Sequence, residues 1–264
     1  MRGLVLTRKR FVHGAAALGG KIYVVGGYDV GEDTPLAEAE VFDPRADGWH
    51  VAAAAEHANG APCLGGRSGS GQGLRDRLDD DSDLIDAVEA YDPLFGAWTQ
   101  VASLPAARHH HTAAVVDGKI YVVGGIIYDD EGEEVATGLV EMYDPAADSW
   151  QQMAAMPTAR YSHASAVMDG KIYVSGGFTT SRELSDAFEA YDPVTNTWAT
   201  LASLSEVRAD HASAAFDGKL YVFGGWASGG DRRDLVEVYG PASNSWARAA
   251  DLTSAIDEVV AVAL

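Results

Sequence analysis

Arginine and histidine recur at one fixed spacing in this sequence. The pattern Arg-x-x-His occurs at Arg10–His13, Arg108–His111, Arg160–His163 and Arg208–His211. An Arg guanidinium can hold a carboxylate through paired hydrogen bonds, and a His can donate, accept or bind a metal. The motif therefore suggests a polar site for a ligand or an acidic peptide segment. A structural interpretation competes with it, because in a repeat each Arg would pair with a Glu or a carbonyl and each His would satisfy buried backbone groups.

The two residues inside each motif differ from one copy to the next. Repeat proteins acquire specificity at divergent positions on a repeated frame. The favoured binding residues are therefore His109, His110, Tyr161, Ser162, Ala209 and Asp210. The predicted ligand site adds the outer residues of the motifs, which are Arg10, His13, Arg108, His111, Arg160, His163, Arg208 and His211.

Catalytic and metal-binding patterns are weak in this chain. The histidine spacing does not fix a tetrahedral site, so we predict no metal and no cofactor. The acidic run that starts at Asp79 lacks the glycine of a calcium loop, and Ala90 stands where the loop needs Glu. By residue type alone, Asp210 with His110 or His211 is the best candidate for an acid–base pair. We predict no catalytic residue, and an enzyme is less favoured than a binding protein.

Five internal repeats must position these residues. Each repeat has a diglycine, then Glu-x-aromatic, then a Trp seven residues past the aromatic. The diglycines begin at Gly26, Gly65, Gly124, Gly176 and Gly224, the aromatics are Phe42, Tyr91, Tyr143, Tyr191 and Tyr239, and the tryptophans are Trp49, Trp98, Trp150, Trp198 and Trp246. Constant internal spacing of this kind indicates a true repeat.

Each repeat predicts four β-strands, named A to D from the inside outward. In the third repeat we predict strand A at 112–116, B at 119–123, C at 140–143 and D from about Trp150. Asp117-Gly118 is a strong two-residue hairpin signal between A and B. The C–D turn should need a left-handed residue at Asp47, Gly96, Asp148, Asn196 and Asn244. We expect Tyr121, Tyr173 and Tyr221 to be buried, and Trp98, Trp150 and Trp198 to be at least partly buried.

The ordered recurrence of Gly-Gly, Glu-x-Tyr-Asp-Pro and Trp resembles the kelch repeat family. The resemblance covers nearly the whole chain and implies an all-β, kelch-type β-propeller built from four-stranded blades. It gives one domain over residues 1–264, with repeats at about 10–53, 54–102, 108–154, 160–202 and 208–250. Kelch propellers commonly bind partners with the loops between strands B and C. Those loops should share a rim with the Arg-x-x-His motifs, because neighbouring strands alternate in direction.

Two departures from this pattern leave the number of blades open at five or six. The interval from Trp49 to Gly65 is 16 residues, whereas it is 26 from Trp98 to Gly124. The second blade should therefore be incomplete, and Pro62 disfavours a central strand there. Residues 251–264 read as an extra A-type strand that would close the ring or complete a neighbouring sheet.

The composition limits the classes of partner that the protein can bind. The chain has 39 Asp and Glu against 19 Lys and Arg, a net charge of −20, which disfavours nucleic acid and anionic membranes. Cys63 is the single cysteine, and the N-terminal apolar run is too short for a signal peptide, so we expect a cytoplasmic protein. Many Asp and few Lys are also typical of proteins from a high-salt cytoplasm, the alternative being an acidic mesophilic protein.

These observations favour a binding scaffold that recognises a protein or a small polar ligand at the channel-mouth loop face. Two alternatives stay open. One is a propeller enzyme, mutarotase- or lyase-like, that acts on a small polar metabolite. The other is a decayed paralogue without a ligand.

Overall fold

The computed structural model describes residues 97–257 and 261 and shorter stretches nearer the N-terminus. Those stretches are residues 10–11, 14–18, 21–25, 28–29, 39–43, 45–46, 48–51, 86 and 88–92. The described residues form strands, bridges and turns and contain no helix, so none of them belongs to a helix capable of crossing a membrane.

Four of the repeats form four-stranded antiparallel sheets in the chain order A-B-C-D. Blade one contains β2 (Gly14–Leu18), β3 (Lys21–Val25), β5 (Ala39–Asp43) and β6 (Gly48–Val51). Blade three contains β9 (Thr112–Val116), β10 (Lys119–Val123), β13 (Val140–Asp144) and β14 (Ser149–Gln152). Blade four contains β16 (Ala164–Met168), β17 (Lys171–Ser175), β19 (Phe188–Asp192) and β20 (Thr197–Thr200). Blade five contains β21 (Ala212–Phe216), β22 (Lys219–Phe223), β23 (Val236–Gly240) and β24 (Ser245–Arg248).

The second repeat is described only in its outer half. Its strands C and D are β7 (Val88–Asp92) and β8 (Ala97–Val101), which pair as a two-stranded sheet. The proposed deletion and Pro62 lie outside the described residues, so an incomplete second blade stays a prediction.

The predicted strands of blade three match the observed ones closely. Strands A and B have the predicted bounds, C extends one residue further to Asp144, and D begins one residue earlier at Ser149. The A–B turn places Asp117 and Gly118 at φ 50° and 73°, which is the left-handed geometry of a tight hairpin.

Three short antiparallel pairs lie beside the blades. They are β1 (Arg10–Phe11) with β4 (Tyr28–Asp29), β11 (Ile126–Tyr128) with β12 (Glu134–Ala136), and β15 (Arg160–Tyr161) with β18 (Phe178–Thr179). The β15–β18 pair joins the Arg-x-x-His segment to the segment after the diglycine. Isolated bridges do the same between His109 and Ile126 and between Ala209 and Trp226. The motifs and the B–C loops therefore share one rim.

Large aromatic residues fill the space between neighbouring blades. Tyr121 of blade three faces Tyr191 of blade four at 6.0 Å between ring centroids, and Tyr173 faces Tyr239 of blade five at 6.3 Å. Tyr121 and Tyr173 are buried as predicted.

The prediction of burial is wrong for Tyr221, which is only half-buried. Its described ring contact is with Phe223 of its own strand, whereas Tyr121 and Tyr173 each face a ring of the following blade. Trp150 and Trp198 are half-buried as predicted, and the Trp98 side chain lies outside the described part.

The turn between strands C and D holds the preceding blade. Its left-handed residue was predicted correctly at Asp148, Asn196 and Asn244, with φ of 45°, 54° and 43°. In blade four, Asn196 Oδ1 accepts hydrogen bonds from the Tyr191 hydroxyl at 2.7 Å and from the Ala154 amide of the preceding linker at 2.8 Å. Trp198 Nε1 donates to the Ala154 carbonyl at 2.9 Å. We call this set of contacts the C–D latch, and it recurs in blades three and five.

The segment after blade five continues in the register of the repeat. The Gly225 amide donates to the Ile256 carbonyl at 2.8 Å, as Gly177 does to Arg208 and Gly125 does to Arg160. Ile256 thus stands where earlier repeats have arginine. Most of the predicted extra strand beyond it lies outside the described residues.

Candidate binding face

The three described motif arginines are buried inside their own blades. Arg160 and Arg208 are 0% exposed and Arg108 is 3% exposed. Each forms an ion pair with the Glu of the repeat pattern, and these partners are Glu141, Glu189 and Glu237. The second guanidinium nitrogen donates to two carbonyls, as Arg160 does to Ala187 at 2.7 Å and to Gly176 at 3.2 Å. These contacts support the structural interpretation for all three arginines, which link the ends of strands B and C.

Two of the motif histidines, His163 and His211, reach towards the preceding blade. His163 Nε2 lies 3.1 Å from Thr112 Oγ1, and His211 Nε2 lies 2.8 Å from Ser175 Oγ. Burial, with a further contribution from the Arg160 charge, lowers the pKa of His163 to about 3. Burial lowers the pKa of His211 as well, and that of His111 to about 4. These buried rings are neutral at pH 7, and His163 and His211 contact the framework of the preceding blade.

The diglycine makes room for each histidine. Gly124 has φ +63°, and a Cβ on it would lie 2.6 Å from His163 Cε1 and 2.7 Å from the Arg160 carbonyl oxygen. A larger residue would therefore separate blades three and four.

The second divergent position forms a backbone chain from blade to blade. His110, Ser162 and Asp210 have φ of 56°, 52° and 55°. The Ser162 amide donates to the His110 carbonyl at 3.0 Å, and the Asp210 amide donates to the Ser162 carbonyl at 2.9 Å. All three residues are half-buried. One backbone geometry thus presents three different side chains on the rim.

Four half-buried rings form a continuous strip across three blades. His110 lies edge-on to Tyr161 at 6.0 Å between centroids, Tyr161 stacks on Phe178 at 5.2 Å, and Phe178 lies 6.0 Å from Trp226. We call these residues the aromatic strip.

The sequence predictions included His110 and Tyr161 but missed Phe178 and Trp226. Both missed residues directly follow a diglycine. In β15–β18, Phe178 pairs with Tyr161, and a bridge pairs Trp226 with Ala209. The repeat register therefore carried the signal that could have found them.

Charged groups surround the aromatic strip. Glu134 Oε1 lies 3.4 Å from His109 Nε2, and the ring of His109 is 4.5 Å from that of His110. Burial raises the pKa of the Tyr161 hydroxyl, Arg182 lowers it, and Asp210 and Glu134 raise it further.

The far end of the aromatic strip borders an open cleft. The cleft has a volume of about 700 Å³ and is lined by residues including Trp226, Asp231, Arg232, Arg233 and Asp257. Arg232 pairs with Asp257 at 2.8 Å, and Arg233 pairs with Glu206 at 3.1 Å.

The remaining predicted residues can be placed only in part. Arg10 lies in β1, where its backbone pairs with Asp29. The Arg10 side chain and all of His13 lie outside the described residues. Within the described part of the chain, no group of three or more His, Cys, Asp or Glu residues is arranged to hold a metal ion.

Comparison with known families agrees with this architecture. The model of the KLHDC2/KLHL20/DRC7 Kelch-repeats domain matches residues 64–207 and 110–257, and the Kelch motif model matches residues 10–54. The chain belongs to the kelch repeat family. Its fold is the kelch β-propeller that the sequence predicts.

Curated kelch relatives share part of their length with this chain. Kelch-like protein terF of Aspergillus terreus is 46% identical over 92 residues, covering 34% of this chain and 20% of its own. Human Kelch-like protein 23 is 30% identical over 190 residues, covering 68% of this chain and 30% of its own. This kelch propeller therefore spans less than a third of either relative.

A solved structure of YjhT supports the fold. It covers 96% of this chain and 69% of its own, with a TM-score of 0.58 and 19% sequence identity. At that identity the likeness concerns the fold alone.

Proposed function

We propose that this kelch propeller is a binding scaffold that recognises a protein or a small polar ligand with one rim. The rim consists of the Arg-x-x-His linkers and the B–C loops. One observation carries the proposal: His110, Ser162 and Asp210 share a backbone conformation and a hydrogen-bond chain, yet differ in side-chain chemistry. Side chains that vary on a constant frame are typical of recognition surfaces.

The chemistry of the rim favours a protein partner over a small ligand. The aromatic strip offers a run of half-buried rings across three blades. Aromatic residues dominate the energetics of protein interfaces because they combine a large apolar area with polar edges. A chain segment lying along the strip would contact several rings at once.

Capture experiments with matched variants test the proposal. The rim variant carries His110→Asn and Asp210→Asn, because Asn tolerates the left-handed backbone at both positions. The control carries Asp169→Asn and Asp217→Asn, two left-handed turn residues at the A–B hairpins on the opposite rim. We expect proteins captured by the wild type and by the control to be lost by the rim variant, and purified candidates to reproduce this difference. Equal capture by all three proteins would contradict the proposal.

The framework arginines should respond differently from the rim. Arg160→Ala should lower the free energy of unfolding by about 3–5 kcal/mol, because it leaves Glu189 buried and unpaired. Asp210→Asn should change it by about 0.5 kcal/mol or less. Urea unfolding measures both. A similar loss in the two variants would remove the distinction between framework and rim.

A further inference from the structure

Carboxylates lie at both ends of the aromatic strip and near Tyr161. Glu134 lies beside His109 at one end. The charges of Asp210 and Glu134 raise the pKa of the Tyr161 hydroxyl. Asp231 lines the cleft beside Trp226 at the other end, where Asp257 is paired with Arg232. Rings with nearby carboxylates are suited to cationic side chains, which interact with the ring face and with the acid.

Two arginines in the described part of this rim are paired with acids of the chain. Arg232 is paired with Asp257, and Arg233 with Glu206. Arg182 lies near Tyr161 and is exposed. In contrast to these arginines, the β11–β12 hairpin has no Lys or Arg and carries five acidic residues, which are Asp129, Asp130, Glu131, Glu133 and Glu134. The net charge of −20 adds a field that attracts cationic partners over longer distances.

The spacing of the rings suits an extended chain. Neighbouring centroids in the strip are 5.2 to 6.0 Å apart. In an extended peptide, side chains on one face recur every second residue, about 6.6 Å apart. Alternate residues of such a segment could therefore each contact a successive ring.

We propose that the aromatic strip binds an extended, Arg- or Lys-rich segment of a partner protein. This inference rests on the proposed function of the rim and adds the chemistry of the partner. The alkyl parts of the basic side chains lie on Tyr161, Phe178 and Trp226, and their cationic ends face Glu134 and Asp210. An acidic segment would be repelled by these groups. A proline-rich segment would use the rings and form no ion pair with these carboxylates.

Labelled synthetic peptides test the inference directly. The probes are short peptides of equal length in which Ser alternates with Arg, Lys, Glu or Pro, and fluorescence anisotropy at physiological salt measures binding. We expect the Arg–Ser and Lys–Ser peptides to bind and the Glu–Ser peptide not to bind. Trp226→Leu should weaken binding by about tenfold through loss of ring contact. Thermal melts confirm that each variant is folded.

A charge-matched pair separates a site from diffuse attraction. Glu134→Gln and Asp217→Asn each remove one negative charge, but Asp217 lies in an A–B hairpin on the opposite rim. We expect weaker binding of the basic peptides for Glu134→Gln and unchanged binding for Asp217→Asn. Equal effects of the two changes, or unchanged binding by Trp226→Leu, would overturn the inference.

Two outcomes separate this inference from the proposed function. If the Pro–Ser or Glu–Ser peptide binds in a Trp226-dependent way and the basic peptides do not, the basic segment is refuted while the rim remains a binding face. If no peptide binds, the inference is likewise refuted. The proposed function then stands or fails on the capture experiment.

Discussion

Arg160 and Tyr161 are neighbours in the sequence, yet Arg160 is fully buried and Tyr161 is half exposed on the rim. Sequence reasoning named both as ligand residues and offered framework pairing as the alternative for the arginine. Residue types alone could not choose between these, because a guanidinium suits a ligand carboxylate and Glu189 equally well. Burial decides between them: successive side chains of a strand point to opposite faces, so in β15 Arg160 enters the blade and Tyr161 lies on the rim.

The buried histidines make stability depend on pH. The pKa of His163 is lowered to about 3 from 6.5, so between these values the unfolded chain binds a proton that the folded chain does not. The free energy of unfolding should therefore fall as the pH drops below 6.5, by up to about 1.4 kcal/mol per pH unit for each such histidine. Urea unfolding at pH 7.5, 6.5 and about 5 measures this.

A variant assigns the pH effect to one ring. His163→Gln keeps a polar group near Thr112 and cannot titrate. Its free energy of unfolding should vary less steeply with pH over the same window, whatever its value at pH 7.5. A slope equal to that of the wild type would show that His163 does not contribute.

At the scale of elements, the sequence predicted the strands and turns well because local signals fix them. Asp117-Gly118 determined the A–B hairpin, and the left-handed position at Asn196 followed from residue type. The second role of Asn196, as an acceptor for the preceding linker, could not be predicted. That role depends on how two blades approach each other. The burial of Tyr221 depends on the same packing, which is why the expectation for Tyr221 was wrong.

The C–D latch can be tested at this one residue. Asn196→Gly keeps the left-handed conformation but removes the acceptor for Tyr191 and Ala154. We expect the free energy of unfolding to fall by about 1–3 kcal/mol. Asn196→Asp is the matched control, because Asp148 fills the same position in blade three, and it should retain most of the stability. Equal losses from Gly and Asp would contradict a stabilising role for the acceptor, because only Asp retains it.

At the scale of the whole molecule, charge should control stability. A net charge of −20 repels itself in the folded state, and added salt screens this repulsion. We expect the melting temperature to rise with potassium chloride. For an acidic mesophilic protein the rise should level off at a few tenths molar, where the Debye length is already short. A rise that continues to molar salt would support adaptation to a high-salt cytoplasm, and a flat or falling trend would contradict the salt prediction itself.

Several hydrogen bonds between blades use main-chain groups of the neighbouring segment. Trp198 donates to the carbonyl of Ala154, Asn196 accepts from its amide, and the Gly125 amide donates to the carbonyl of Arg160. Because every chain has these main-chain groups, the same bonds would form beside a blade copied by gene duplication. Whole repeats could thus be gained in one genetic step. The rim residues of the new copy would then be free to diverge.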